Sequence, residues 1–301
     1  MRIIAVIVSY FPDLSLLERV VRAAAEQTDS VILIDNNSSS YSAADFAGTH
    51  QTQFIANCRN RGIAAAQNRG IEYARSHNFT HILFLDQDSV LPSGAVAELA
   101  KNLQQIEKAG HRIAAIGPRY DEANSGLPGR VFISRGCRVH RVVATGGLTT
   151  METDFIISSG SLVPIDVFDH VGGFEEDLFI DLVDIEWCFR ARSRGFRTYM
   201  VLTTGLAHHL GTGIVRLGSQ NIPLHAPTRN YFWVRNAIAL MRRRYTPFAW
   251  KLYFLSRVLL FPVVYPIFAD QRLRRLRLIW AGISDGLMGR FASGNNRASS
   301  G

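Results

Sequence analysis

Apolar residues in this chain alternate between two patterns: short uncharged runs, and longer stretches where they return every three or four positions. Residues 3–9, 31–34 and 81–85 are runs of the first kind and read as buried strands, with residues 53–56 as a short additional one. Leu16, Leu17, Val20, Val21 and Ala24 have helical spacing, and Ser15-x-x-Glu18 in front of them has the form of a capping box. The Ala-rich stretch 62–76 and a segment from Leu91-Pro92-Ser93 to about Lys108 predict two more helices, and 113–117 a further strand. Strand and helix in alternation imply an α/β domain with a parallel, doubly wound sheet. Between 120 and 153 the pattern degrades into Gly, Arg and Ser with short Val-rich pieces, which fits either an acceptor-side excursion or a hairpin. Regularity returns over 154–164. A short helix is expected at 166–171, closed by Gly172-Gly173, then a helix at 185–194 ended by Gly195 and a strand at 197–202.

The C-terminal part divides into helical segments at about 227–244, 246–269 and 271–290. Residues 258–269 carry no charge but include Pro262 and Pro266, and Lys251 and Arg257 interrupt the apolar stretch before them. A spanning helix wants ~20 consecutive apolar residues, so this segment is expected to lie in a membrane interface rather than cross it. Arg272, Arg274, Arg275 and Arg277 interleave with Leu273, Leu276, Leu278, Ile279 and Trp280, a mixture suited to lipid phosphates and acyl chains. The alternative is a dimerisation or core-covering helix pair. The expected division is a catalytic domain at 1–226, a membrane-associating helical region at 227–290 and a disordered tail at 291–301.

Composition sharpens this picture. The 301 residues are 47% hydrophobic with a formal net charge of +8. That charge is local: residues 229–290 hold 12 Lys/Arg against 2 Asp/Glu, and the rest of the chain is nearly neutral. Interleaved with aliphatic stretches and without any nucleic-acid module, the basic residues fit an anionic membrane surface and exclude a nucleic-acid partner. Cys58, Cys137 and Cys188 are widely separated, so no disulfide framework or zinc pattern follows and a cytoplasmic setting is expected. The first apolar run stops at Ser9, with Pro12-Asp13 where a signal peptide would need small residues, so it is read as a strand.

The candidate chemistry sits after the runs. Asp86-Gln87-Asp88 follows the 81–85 run, where ligands of open α/β sheets collect, and side chains two apart in extended chain point the same way. The two carboxylates can converge on one divalent cation or sugar-phosphate; a plain turn is the alternative. Ser9-Tyr10 and Asp35 end the first two runs. A carboxylate at 35 can accept the ring N–H of uracil or thymine while Tyr10 packs on the base, unless Asp35-Asn36-Asn37 simply forms an Asx-turn. Asn60-Arg61-Gly62 precedes the Ala-rich helix, whose N-terminus and Arg61 favour a diphosphate if they are more than an ordinary cap. Asp181, Asp184 and Glu186 crowd a helix start, where mutual repulsion would raise a proton affinity as a general base requires, although acidic residues are common in any first turn. His208-His209 is expected after a strand and loop, and one imidazole can complete a metal site begun by Asp88. No G-x-G-x-x-G follows the first strand, which disfavours a dehydrogenase.

In order, V-S-Y, I-D-N-N-S, N-x-G, F-L-D-Q-D-S, G-G-F-E-E-x-L-F-I-D-x-V-D-I-E-W and H-H-L-G resemble the family 2 glycosyltransferases, and within them the bacterial rhamnosyltransferase branch, over about residues 3–245. The resemblance implies a GT-A fold, a Rossmann-like mixed sheet flanked by helices, and inversion at the sugar in one displacement. It implies donor contacts at Ser9, Tyr10, Asp35, Asn60, Arg61, Asp86 and Gln87, with Asp35 on the base. Asp88 would hold Mg²⁺ or Mn²⁺ on the diphosphate, supported by His208 or its neighbour His209, and Asp184 would be the catalytic base. Tyr231 and Arg235-Asn236 match a further element to which no role attaches. The implied donor is dTDP-β-L-rhamnose and the implied acceptor a lipid-linked O-antigen or capsular glycan at the cytoplasmic membrane face. Alternatives are another donor such as UDP-galactofuranose or UDP-GlcNAc, or a non-catalytic nucleotide or glycan binder docked on a membrane.

Overall fold

The computed structural model describes residues 1–38, 41, 52–122, 130–143, 147–208, 213–217, 220–224 and 226–291, with backbone alone for 121–122, 207–208, 213–217 and 220–224. The expected tail at 292–301 and His209 lie outside the described residues. In chain order the elements are β1 (Ile3–Ser9), α1 (Leu14–Ala25), β2 (Ser30–Asp35), β3 (Thr52–Ala56), α2 (Gly62–Ser76), β4 (His81–Asp86), α3 (Ala95–Lys108) and β5 (Ile113–Glu122). They continue with β6 (Val131–Arg135), β7 (Arg138–Val142), β8 (Thr150–Thr153), β9 (Leu162–Pro164), α4 (Val167–Val171), α5 (Val183–Ser193) and β10 (Arg197–His208). Last come β11 (Gly213–Leu217), β12 (Gln220–Leu224), α6 (Pro227–Arg242), α7 (Phe248–Phe268) and α8 (Arg272–Met288).

The described strands form an eight-stranded sheet in the order β3-β2-β1-β4-β9-β5-β10-β8. It is mixed, which corrects the all-parallel sheet that alternation implied and agrees with the GT-A expectation. β3, β2, β1 and β4 run parallel, but β9 lies antiparallel between β4 and β5, and β8 antiparallel to β10. The turn at 158–161 sits at the carboxyl end of β4, bonded to Phe84 through Gly160 and Ser161, so β9 enters the sheet from that end and runs against β4. β6 and β7 form a hairpin in the segment whose pattern was degraded.

β1 is buried throughout and β2 nearly so because helices cover both faces of the sheet. Ala5, Ile7, Val31, Leu33, Leu83 and Leu85 face α1 and α3, whereas Ile4, Val6, Ile32, Ile34, Ile82 and Phe84 face α2, α5, α6 and α7 in a second core. α6 and α7 therefore share apolar packing with the strands that carry the candidate site. Two local expectations change. The cap of α1 is Asp13, in extended conformation, whose carboxylate accepts the Leu16 N–H at 3.1 Å; Ser15 is already in the first turn and donates its hydroxyl to Asp13. β10 extends from the expected 197–202 as far as His208, after a register shift between Val201 and Gly205, so His208 ends a strand with no loop before it.

Candidate active site

Register places the sequence motifs along one edge of the sheet. Ser9 pairs with Asp35 and Val8 with Asp86, so the carboxyl ends of β1, β2 and β4 lie side by side. The chain leaves β1 for β2 on one side and later returns to β4 on the other, the switch point where ligands of such sheets bind.

The carboxylates at this edge have unequal surroundings. Asp86 is partly buried, and desolvation, with repulsion from Asp88, pushes its pKa up to about 6 against the opposing charge of Arg229. Asp184, two residues into α5, is also raised to about 6. Desolvation is again the main cause and Asp86 adds to it; the Ile185 N–H (2.8 Å) and the Ser158 N–H (3.2 Å) hold the value down. Asp184, Asp86 and Asp88 thus belong to one electrostatic cluster, bordered by Tyr120, whose hydroxyl is pushed well above its ordinary range by burial and then by Asp184, Cys188 and Asp86.

The expected crowding of 181, 184 and 186 does not occur. Asp181 is paired with Arg229. Glu186 is fully buried on the other side of α5, bonded twice to Arg190 at 2.8 Å and to the Tyr245 hydroxyl at 2.5 Å. On a helix, positions two apart point to different faces, so Asp184 alone of the three faces Asp86, and burial rather than their mutual repulsion raises it.

The other motif residues come together at this edge with partners of their own. Asp35 is buried and forms the turn that its Asn-rich surroundings suggested: Oδ2 accepts the Ser38 N–H (2.7 Å), and Oδ1 accepts hydroxyls from Ser38 (2.6 Å), Tyr41 (2.9 Å) and Ser9 (3.3 Å). The Gln87 side chain accepts the Tyr10 N–H at 2.7 Å, leaving the half-exposed Tyr10 ring edge-on to Phe11. Asn60, one residue before the cap of α2, accepts the Gly62 N–H at 2.9 Å, and Arg61, the cap residue, makes an exposed pair with Glu176 at 3.3 Å that costs little to open. Gly62 has φ +83°, and a Cβ there would lie 2.5 Å from the Phe179 carbonyl oxygen. Gly62→Ala is therefore expected to destabilise the protein by about 2 kcal/mol, read by urea denaturation; unchanged stability would contradict so close a contact.

Arg229, in the first turn of α6, is the site residue that sequence reasoning missed. It lies in the segment read as membrane-associating, and its only local signal is a position just after the helix-starting Pro227. Among the described residues no group of three His, Cys, Asp or Glu side chains could hold a metal alone. β4 stops at Asp86, and Gln87-Asp88 form a turn in which the Ser89 N–H reaches the Asp86 carbonyl at 3.3 Å, so the two carboxylates are not aligned by extended chain as expected; they still repel one another and suit a Mg²⁺-type ion that takes one or two carboxylates and completes its shell with substrate phosphates.

Parallel strands ending in this carboxylate edge, with antiparallel strands beyond, form the GT-A architecture of nucleotide-sugar transferases, and solved structures agree. GalNAc-T7 with UDP, GalNAc and Mn²⁺ superposes with a TM-score of 0.61 at 15% identity, over 97% of this chain and 58% of that one. Staphylococcus aureus TarS 1–349 in complex with UDP-GlcNAc superposes with a TM-score of 0.60 at 14% identity, over 97% of this chain and 83% of that one. Residues 5–154 match the glycosyl transferase family 2 model, and the chain is 31% identical over 258 residues, 81% of each chain, to dTDP-rhamnosyl transferase RfbF of Shigella flexneri. The chain belongs to glycosyl transferase family 2, and it is an enzyme that transfers a sugar from a nucleotide donor.

Proposed function

We propose that this enzyme moves L-rhamnose from dTDP-β-L-rhamnose to a hydroxyl of a lipid-linked surface polysaccharide such as O-antigen, with Asp184 as the base. The observation that carries the mechanism is the pairing of a half-buried Asp184, its pKa near 6, with the Asp86-Asp88 strand end. A carboxylate of that kind is deprotonated at neutral pH yet basic enough to take the proton of an attacking alcohol. The rhamnosyl donor is supported by the extent of the likeness to RfbF.

In this reading the pyrimidine ring N–H takes the place of the Tyr41 hydroxyl on Asp35, with Tyr10 beside the base and Ser9 lining the pocket. Asn60 and Arg61, once Arg61 leaves Glu176, and the start of α2 face the diphosphate. Asp86 and Gln87 lie against the sugar and ribose. Asp88 would hold Mg²⁺ or Mn²⁺, with His208 or its neighbour His209 as a further ligand. The ion, when bound, offsets charge growing on the leaving diphosphate. Asp184 removes the acceptor proton as the oxygen attacks C1 from the face opposite the nucleotide, which inverts the anomeric centre.

The test is a donor screen with the full chain: transfer or slow hydrolysis of dTDP-rhamnose, UDP-galactofuranose and UDP-GlcNAc, with Mg²⁺, Mn²⁺ or a chelator. dTDP-rhamnose is expected to be turned over in a metal-dependent way, and Asp88→Ala to weaken donor binding as well as turnover. Preference for a UDP-sugar would replace the donor, and binding without turnover of any sugar would favour a non-catalytic binder.

The setting proposed is the inner face of the cytoplasmic membrane. α7 is long and apolar enough to cross a membrane by length and composition, yet it buries Trp250, Phe254, Val258, Phe261 and Tyr265 against the protein. Its other face exposes Phe248, Leu252, Leu255, Leu259, Val263 and Ile267 at helical spacing, and exposed Arg272 and Arg277 lie beside Leu273 and Trp280 on α8. An exposed apolar face on α7 and exposed cations on α8 suit an anionic bilayer surface; Arg275, expected among the lipid-facing arginines, is instead buried against Asp270 and Asn230. Leu259→Glu with Val263→Glu is expected to abolish co-sedimentation with phosphatidylglycerol vesicles; retained binding would remove this face from the contact.

A further inference from the structure

The segment that leads into α5 is unusual in its backbone. Phe179, Asp181 and Leu182 have φ of 64°, 63° and 63°, and none is a glycine. Each such residue costs on the order of 1–3 kcal/mol and persists only where its surroundings impose it. Leu182 is also the residue from which α5 starts, with its carbonyl accepting the Glu186 N–H at 2.9 Å, so its dihedrals set the direction of the turn that carries Asp184.

The surroundings that impose this conformation come from α6. Asn236 is fully buried and directs its Nδ2 to the carbonyls of Leu178 (2.9 Å), Ile180 (2.8 Å) and Asp181 (2.8 Å). Arg235, equally buried, donates from Nη2 to the carbonyls of Asp177 (2.9 Å) and Leu178 (3.0 Å). Its Nε (3.0 Å) and Nη2 (2.9 Å) also donate to Asn236 Oδ1, which fixes the amide so that its N–H groups face the segment. Arg229 holds the Asp181 carboxylate. Behind α6, α8 fits so closely at Gly286 that a Cβ there would lie 3.0 Å from the Arg235 carbonyl oxygen, and Asp285 accepts the Tyr231 hydroxyl at 2.8 Å.

We propose that Asn236, oriented by Arg235, is a positioning residue for the transfer reaction: by holding the carbonyls of Leu178, Ile180 and Asp181 it fixes the left-handed segment that aims Asp184 at the donor. The inference rests on Asp184 being the base. It gives α6 a part in catalysis that is separate from any membrane contact of α7 and α8. A buried amide placed only for stability would shift the folding equilibrium and leave kcat of the folded molecules alone.

The experiment compares Asn236→Ala, the isosteric Asn236→Asp, Leu240→Ala and Asp184→Asn in the full chain, measuring kcat and donor KM on folded protein and dTDP affinity by calorimetry. Leu240 is a buried residue of the same helix outside the carbonyl contacts, so its truncation controls for loosened packing. Both Asn236 variants are expected to lose ~100-fold in kcat, the scale of a misplaced catalytic group, with dTDP affinity within about threefold of the parent, while Leu240→Ala keeps its kcat. Asn236 variants with kcat within about threefold of the parent, or an equal loss in Leu240→Ala, overturn the proposal. If Asn236→Ala does not fold, Asn236→Asp, which fills the same space without the N–H donors, decides. Turnover retained in Asp184→Asn would overturn the base assignment itself; an inactive Asp184→Asn beside active Asn236 variants would overturn only the positioning role.

Discussion

Asp184→Asn is expected to lower kcat by ~10²–10⁴-fold, the range that a positioned acid–base group contributes, with dTDP affinity nearly unchanged. The parent enzyme should show kcat rising with pH through about 6, as the coupled Asp184 and Asp86 lose their protons, and the residual activity of the variant should keep only the part of that limb that belongs to Asp86. Stability moves the other way. The folded-state pKa lies above the ordinary aspartate value of 3.8, so the contribution to stability is full below 3.8 and is lost as pH rises through about 6. Above pH 6 the ionised carboxylate is held at a cost of at most ~3 kcal/mol, reduced by what solvent reaches it. Asparagine removes that cost but weakens the acceptor for the Ser158 and Ile185 N–H groups. The variant should therefore melt no lower than the parent at pH 7.5, and this advantage should vanish near pH 4. A variant that melts lower at pH 7.5 and retains turnover would identify Asp184 as a structural carboxylate.

Arg190→Met is expected to cost ~3–5 kcal/mol of unfolding free energy, because it leaves Glu186 as an uncompensated buried charge. The arginine also donates to the carbonyls of Val171 (2.6 Å) and Gly173 (2.8 Å), so it joins α5 to the Gly172-Gly173 turn. Tyr245 leaves Glu186 one remaining donor, which limits the loss. Urea denaturation with an unchanged m-value checks this. A loss below about 1 kcal/mol would mean that the arginine is not what holds Glu186 in the core.

These two residues show how far the sequence could be read. Asp184 and Glu186 stand two apart in one acidic motif, and from composition both were candidates for a crowded carboxylate cluster. One faces Asp86 and the other an arginine in the core. Asp35 shows the same limit: the sequence allowed a base-binding carboxylate or a turn, and in the structure its carboxylate serves Ser38, Tyr41 and Ser9. Arg235-Asn236 was visible as a motif without a role because its partners, residues 177–181, lie more than fifty positions earlier in the chain.

What the chain determines by itself is local: uncharged runs that must be buried on both faces, helices between them, and carboxylates where the runs stop. Those features depend on side-chain period and on the aversion of charge to a strand interior, which neighbouring residues suffice to express. Tertiary structure decided the reversal of β9, the left-handed entry to α5, the separation of Asp184 from Glu186 and the arrival of Arg229 at the site. Each depends on hydrogen bonds and ion pairs between distant segments, and on which carboxylates those contacts leave facing the donor edge.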